Sequence, residues 1–245
     1  MKHFQSKAVA MATVLSLSML AGCGGGGGAT TEAPAQTDTA FPMQKAMSNL
    51  YTNGYQKSVT VNGTATVSGI QYPFSGSIQV SETPTNTNAT FNGQPAIQET
   101  FSINGTATVS GQTFNLSNSG QTYLSANYTV LGASAPGVYC VAQNPGQYPS
   151  TVNIGQSGTV VSVSCYSDST MTTPLGSETI SYSVSAGTSA STATVALTTV
   201  TANSSNQVVE SMQANYIIDT SGGITYASAT ISESIGNVSL NFTMQ

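Results

Sequence analysis

"VNGTATVSGIQYPFSGS", residues 61–77, returns without gaps as "INGTATVSGQTFNLSNS" at residues 103–119, with 10 of 17 positions identical. In the first copy Val59, Val61, Ala65 and Val67 share one side of an extended chain, and Thr60, Thr64 and Thr66 take the other. That is the period-two alternation of a strand with one buried face. Ser68-Gly69 supplies turn chemistry before "IQYPFSGSIQV", so the segment reads as a hairpin. The second copy repeats it, with Tyr72 matched by Phe114 and Phe74 by Leu116. Two copies indicate duplication of a hairpin unit, whereas a solenoid or propeller needs three or more repeats.

Upstream, "FPMQKAMSNLYTNG", residues 41–54, is the one expected helix. Met43, Ala46, Met47, Leu50 and Tyr51 follow the spacing of an apolar helical stripe; Pro42 suits the first turn and Gly54 the C-terminal stop. The stripe is expected to pack on the protein's own sheet. Downstream the texture changes at Ala133, where "ASAPGVYCVAQNPGQYPS" carries three prolines, and a module boundary is placed there. Strands are expected near 138–141, 151–154, 159–165, 179–185, 192–201, 207–219, 224–235 and 238–244. The predicted fold is therefore all-β and antiparallel: a helix plus duplicated β-hairpin module over 42–132, then a β-sandwich module over 133–245. Short strands divided by Gly, Pro, Asn and Ser turns point to a sandwich of the immunoglobulin-like kind. The chain has no tryptophan, so that likeness is architectural, and a single continuous sheet through both halves is the competing topology.

The amino terminus has a different logic. Lys2 and Lys7 precede the apolar run "AVAMATVLSLSML", too short to span a bilayer but suited to a secretory signal peptide over 1–22. "LAGC", residues 20–23, resembles the lipobox of bacterial lipoproteins. The resemblance implies that Cys23 carries diacylglycerol by a thioether, becomes the first residue after cleavage, and is acylated, as with palmitate, on its new amino group. Three acyl chains exceed the two lipid signals that stable anchoring takes. Gly24 in place of Asp resembles the pattern for transfer to the outer membrane. The following segment to Phe41 is rich in Gly, Ala, Thr and Pro and has little to bury, so 23–41 is expected to be a lipidated flexible linker, undecorated by sugars.

Composition narrows the chemistry. Beyond the signal peptide, Lys45 and Lys57 stand against nine acids. Nucleic acid is not an expected partner, because its phosphates demand a Lys/Arg footprint. The chain is 39% hydrophobic and only 5% charged, which is enough to build a core under a neutral surface of Ser, Thr, Asn and Gln. With Cys23 lipidated, Cys140 and Cys165 remain as a pair in an oxidising compartment and are expected to form a disulfide.

No catalytic residue, cofactor site or metal site is assigned. The single histidine, His3, falls in the signal peptide, and the chain has no arginine. Ser-His-Asp and Cys-His machinery, zinc sites with histidine and guanidinium clamps are thereby excluded. A Ser-Lys pair would need Lys45 or Lys57, both expected to be solvated. "DTSGG" at 219–223 reads as a hairpin turn, since Ser221 interrupts the Asp-Thr-Gly of aspartic proteases. Asp168 and Glu178 in "YSDSTMTTPLGSE" lack the acid spacing of a calcium loop. "NGT" at 62 and 104 matches a glycosylation sequon but lies in a repeated strand.

Two functional classes follow. The first is a membrane-anchored envelope lipoprotein, held to the bilayer through Cys23, that serves as a non-enzymatic structural or binding module for an envelope protein or glycan. Edge strands and Tyr-bearing loops such as "NPGQYPS" at 144–150 are its candidate contact surfaces. The alternative is a carboxylate-dependent hydrolase or small-ligand carrier. It would require two of Glu82, Glu99, Asp168, Glu178, Glu210, Asp219 and Glu233 to meet in a cleft.

Overall fold

The computed structural model describes residues 40–245, apart from Pro145, Asn237 and the side chain of Ile235. The signal peptide expected at 1–22, the linker up to residue 39 and the lipidation expected at Cys23 lie outside the described residues. The first described element is a two-residue strand, β1 (Ala40–Phe41), which pairs with β8 (Val152–Asn153). Helix α1 spans Met43–Asn53, with Pro42 at its N-cap and Gly54 (φ 61°) at its end. All five stripe residues expected from the sequence are buried.

Twelve antiparallel strands then form one closed barrel. They are β2 (Tyr55–Val67), β3 (Ile70–Phe91), β4 (Gln94–Val109), β5 (Gln112–Leu124), β6 (Val130–Ala135), β7 (Val138–Ala142), β9 (Ser157–Tyr166), β10 (Pro174–Ala186), β11 (Thr192–Asn203), β12 (Val208–Asp219), β13 (Ile224–Ile235) and β14 (Val238–Met244). Each barrel strand pairs with the next along the chain, and β14 returns to β2, matching Val238 with Val67 and Met244 with Val61. This corrects the immunoglobulin-like sandwich: one meander closes on itself, and residues 42–132 and 133–245 both contribute strands to it. Alternation of side chains specifies which face of a strand is buried, and a sandwich and a barrel meet that requirement equally well.

The two repeat copies form neighbouring hairpins, β2–β3 and β4–β5, turning at Ser68-Gly69 (φ 51° and 82°) and Ser110-Gly111 (φ 49° and 79°). Positive φ at both central residues matches the right-handed twist of the flanking strands. The glycines of the repeated "NGT" have a separate use. A Cβ on Gly63 would stand 2.4 Å from the Asn241 carbonyl oxygen, and one on Gly105 would stand 2.2 Å from that of Ser77. Both mark places where adjacent strands approach too closely for any side chain.

Beyond bulges at Pro84–Asn86 and Asn86–Ala89, the β3–β4 hairpin continues as an arm. Phe91 at its tip stacks on Tyr123 at 4.4 Å and Tyr139 at 5.3 Å, and the Tyr139 hydroxyl donates to Asn92 Oδ1 at 2.7 Å. With Ala89, Ala96 and Leu131 they make a satellite apolar cluster, separate from the main core.

A barrel of eight strands is just wide enough for its side chains to fill. Twelve strands enclose more, and α1 helps to occupy the space. Met43, Met47, Leu50 and Tyr51 join one buried cluster with residues from β2 to β14, among them Val80, Phe101, Leu124, Ile180, Leu197 and Met212. The outward positions carry Thr60, Asn62, Gln79, Thr194, Gln213 and Thr230. Hydroxyls and amides outside with an apolar interior are the reverse of a lipid-facing barrel, which wears its apolar band outward. Among the described residues no helix is long and apolar enough to cross a membrane.

Candidate functional site

The two ends of the barrel differ. At one end lie the turns after β3, β5, β10 and β12, the long connection between β7 and β9, and α1. The helix is fastened to several of these. The Gln44 amide donates to the Pro149 carbonyl at 3.1 Å, Asn49 Nδ2 to the Gly222 carbonyl at 2.9 Å, and the Thr52 hydroxyl to the Tyr128 hydroxyl at 2.9 Å. Tyr51 stacks parallel on Tyr128, ring centres 6.3 Å apart. Because these partners sit on different connections around the mouth, α1 closes that end.

The opposite end carries the turns at 68–69, 110–111, 136–137, 167–173 and 204–207. The large apolar side chains most exposed to solvent, Val67, Ile70, Phe114, Leu116, Met171 and Val208, all lie at or near these turns. Ile70 and Val208 are exposed by 59% and 61%. Four of the six belong to the duplicated hairpins, Val67 and Ile70 to the first copy and Phe114 and Leu116 to the second, although at different positions of the repeat.

The interior holds five buried glutamates: Glu82, Glu99, Glu178, Glu210 and Glu233. Sequence reasoning named these residues as acids without placing them on the inner wall. The signal was present: each stands two residues from a buried or half-buried apolar neighbour, Val80, Phe101, Ile180, Met212 and Ile231 respectively, in the inward phase of its strand.

They fall into two groups. Near the open end the cross-strand register runs Val163, Glu178, Thr201, Glu210, Glu233, Leu240, a row in which Glu210 directly faces Glu233. Neither Glu178 oxygen nor the Thr201 hydroxyl has a hydrogen-bond partner. Burial, then the neighbouring Glu210, holds the Glu178 carboxyl well above the usual carboxylate range, and burial also raises Glu233.

Beneath α1, Glu82 and Glu99 sit beside Tyr51 and Tyr148, whose hydroxyls are 3.5 Å apart. None of the four carboxylate oxygens has a partner in hydrogen-bond geometry, although the two groups are close enough to shift one another. Burial, then Glu99, pushes Glu82 far up, and burial pushes Glu99 up to about 7. Burial likewise raises Tyr51 and pushes Tyr148 up to about 12. Below neutral pH this is a site of protonated acids and phenols, able to hold protons and poorly suited to nucleophilic attack.

The acids do meet, but not in a cleft. The surface clefts of about 380 and 270 Å³ are lined by neutral side chains, such as Asn62, Gln213 and Asn241 in the larger and Thr100 and Gln121 in the smaller. Among the described residues no group of three or more His, Cys, Asp or Glu could hold a metal ion. Asp168 lies exposed in the β9–β10 turn, its carboxyl lowered first by the Thr170 hydroxyl, while Glu178 points into the barrel. Asp219 forms the turn expected of "DTSGG". Its Oδ1 accepts from the amides of Ser221 and Gly223, both at 2.8 Å, and Gly222 takes φ 86°. Lys45 is exposed on α1, whereas Lys57, expected to be solvated, is half-buried with its Nζ 4.5 Å from the centre of the Tyr226 ring.

Two expectations about contact surfaces are corrected. Tyr148 of "NPGQYPS" is only 2% exposed and packs under α1, so it is part of the core. Edge strands are also not on offer in the barrel, because closure pairs both sides of every barrel strand. Cys140 and Cys165 are disulfide-bonded, as expected, and face one another across β7 and β9.

The class defined by this geometry is a closed antiparallel up-and-down β-barrel, polar outside and plugged at one end. No family model, curated protein or solved structure matches the chain.

Proposed function

We propose that the protein is a membrane-anchored envelope lipoprotein, tethered through acylated Cys23, whose barrel is a non-enzymatic binding module for a neighbouring envelope protein. The outer membrane is the proposed site of anchoring. The observation that carries the reading is the gathering of exposed apolar side chains on the rim made by the duplicated hairpins. Exposed apolar surface of this kind marks interaction sites, and a neutral polar wall elsewhere leaves little else to attract a protein. The linker joins at Ala40, which pairs with Asn153 at the end closed by α1. A leash entering there leaves the apolar rim free to point away from the bilayer. Glu82, Glu99 and Glu178, buried with no hydrogen-bond partner and absent from the lining of both clefts, lend no support to a hydrolase.

The test has two arms, both in the native envelope. Replacing Cys23→Ala should move the protein from the detergent phase to the aqueous phase. A photo-crosslinking residue at position 114 should capture one defined protein, and the same residue at outward-facing position 194 should not. Retention of the Cys23→Ala protein in the detergent phase would refute the anchor. Equal capture from both positions, or none from position 114, would refute the rim as the contact surface.

A further inference from the structure

The end closed by α1 is sealed differently from the rest of the barrel. Every barrel strand is held on both sides by a ladder of backbone hydrogen bonds. The segment 40–53 is held by the two-residue pairing of β1 with β8, the Gln44, Asn49 and Thr52 contacts, and the burial of its apolar stripe. Elements with few backbone ties open locally at lower free energy than laddered strands. This segment can leave while the barrel stays closed.

Directly beneath it are two buried carboxyl groups, each of which shifts the other. Glu82 is 1% exposed and Glu99 fully buried, and all four oxygens lack hydrogen-bond partners. The titratable and charged groups around them are as follows. From α1 comes Tyr51, with Lys45 on the helix's exposed face; from the β7–β9 connection, Tyr148; from the β5–β6 turn, Tyr128 stacked on Tyr51. From β2 come Tyr55, the register partner of Glu82, and Lys57, whose Nζ lies over Tyr226. The β12–β13 turn contributes Asp219, whose carboxylate is occupied by its own turn amides. Two phenols and two acids therefore share a buried space with an apolar helix as lid. The hydroxyl of Thr122, which faces Glu99 across the sheet, also has no partner.

We infer that α1 is a proton-released latch: when Glu82 and Glu99 lose their protons, the helix unseats and this end of the barrel opens, and on acidification it closes again. With protons in place the pair is neutral and the apolar stripe of α1 covers it at no electrostatic cost. Without them, two negative charges lie side by side in an apolar site, and each disfavours the other. Moving the helix hydrates both charges and breaks no barrel ladder. Opening would uncover Met43, Met47, Leu50 and Tyr51, an apolar surface next to the tether and distinct from the rim already described. Burial pushes Glu99 up to about 7 and Glu82 well above its usual value, so both protons leave above the ordinary carboxylate range, and Glu99 is the first to go. The latch does not depend on what the open rim binds.

The test is amide hydrogen exchange on the full chain in detergent between pH 5.5 and 8.5, expressed as protection relative to the intrinsic rate at each pH. Above the transition, protection of residues 43–53 should fall by up to about tenfold per pH unit for each proton whose loss drives release, because the slope of the opening equilibrium with pH equals the number of protons released. Residues 192–219 of β11 and β12 should hold their protection over the same range. Glu99→Gln, and the double change Glu82→Gln with Glu99→Gln, should flatten the response, while Glu178→Gln at the open end should leave it intact. The single variant serves if the double variant does not fold. Constant protection of 43–53 in the unaltered chain, a response that survives Glu99→Gln, or simultaneous loss of protection in β11 and β12 would each overturn the latch.

Discussion

The barrel's two ends are built from opposite materials. The closed end has a helix and aromatic packing over unpaired acids, with no covalent tie. The open end has no lid and shows apolar side chains to solvent, yet it carries the Cys140–Cys165 disulfide, close to the turns at 136–137 and 167–173. A closed end can be held by burial alone because the helix supplies apolar area. An open rim gains no such burial, and there a covalent link between neighbouring strands limits fraying. The difference suggests that the ends serve different purposes: one can change state, while the other presents a fixed surface.

The sharpest way to break this contrast is to cut the covalent tie. Cys140 and Cys165 lie 25 residues apart, and loop-closure entropy gives such a link about 3 to 4 kcal/mol. Replacing both cysteines with serine should lower urea-unfolding stability by about that amount and loosen β7 and β9 first. If the loss came to less than about 1 kcal/mol, the open end would not depend on its staple.

Next in size is the effect of pH, which tests the acids under the helix. A carboxyl whose folded pKa is raised stabilises the fold fully below its unfolded value, and that stability is lost as pH rises through the folded value. Glu99 moves from 4.5 to about 7, so its contribution disappears between those limits and amounts to about 3 kcal/mol. Glu82, Glu178 and Glu233 are raised as well and act in the same direction. The protein should therefore be more stable in urea at pH 4.5 than at pH 8, opposite to proteins whose carboxylates are salt-bridged. Asp168 and Asp219 are lowered and lose their contributions only on further acidification. Equal stability at the two pH values would mean that the buried acids already have partners when ionised.

A smaller effect is expected at the β12–β13 turn, on which α1 rests through Asn49. Asp219 Oδ1 accepts three donors, the amides of Ser221 and Gly223 and the Ser221 hydroxyl. In Asp219→Ala these bonds pass largely to water, at a cost of about 1 kcal/mol in thermal or urea unfolding. The same change should increase exchange in 43–53 relative to β5–β7, because the seat of the helix is disturbed while the far wall is not.

What could be read beforehand depended on whether a feature leaves a local pattern. The apolar stripe of α1, the Ser-Gly turns and the alternating strands are short-range and were legible residue by residue. Closure was not. The pairing of β14 with β2 joins residues more than 170 positions apart through backbone atoms, which are the same for every residue type. The immunoglobulin-like expectation failed on this point, since it had to choose a partner for each strand from face patterns that say nothing about partners. The buried glutamates escaped for the opposite reason. Their local pattern, an acid two residues from an apolar neighbour, is present in the sequence, but it competes with the general rule that acids are almost never fully buried without a partner. Tyr148 lies in a polar, proline-rich loop whose composition points to solvent, yet its ring is buried beneath the helix.

The smallest stability effect is expected where the functional effect should be largest. Ile70 and Phe114 occupy corresponding hairpins of the duplicated unit and are 59% and 47% exposed. Replacing both with serine removes little buried area, so stability should change by no more than about 0.5 kcal/mol. Capture by a crosslinker at neighbouring position 72, on the same rim, should nevertheless disappear. A matched change at the capped end, Met47→Ala, should do the reverse: Met47 is 2% exposed, and removing a buried methionine side chain costs about 2 to 5 kcal/mol of local or global stability while leaving the rim intact. If the rim pair proved as destabilising as Met47→Ala, those side chains would be core residues of the barrel mouth. The two ends would then differ in degree of packing and not in purpose.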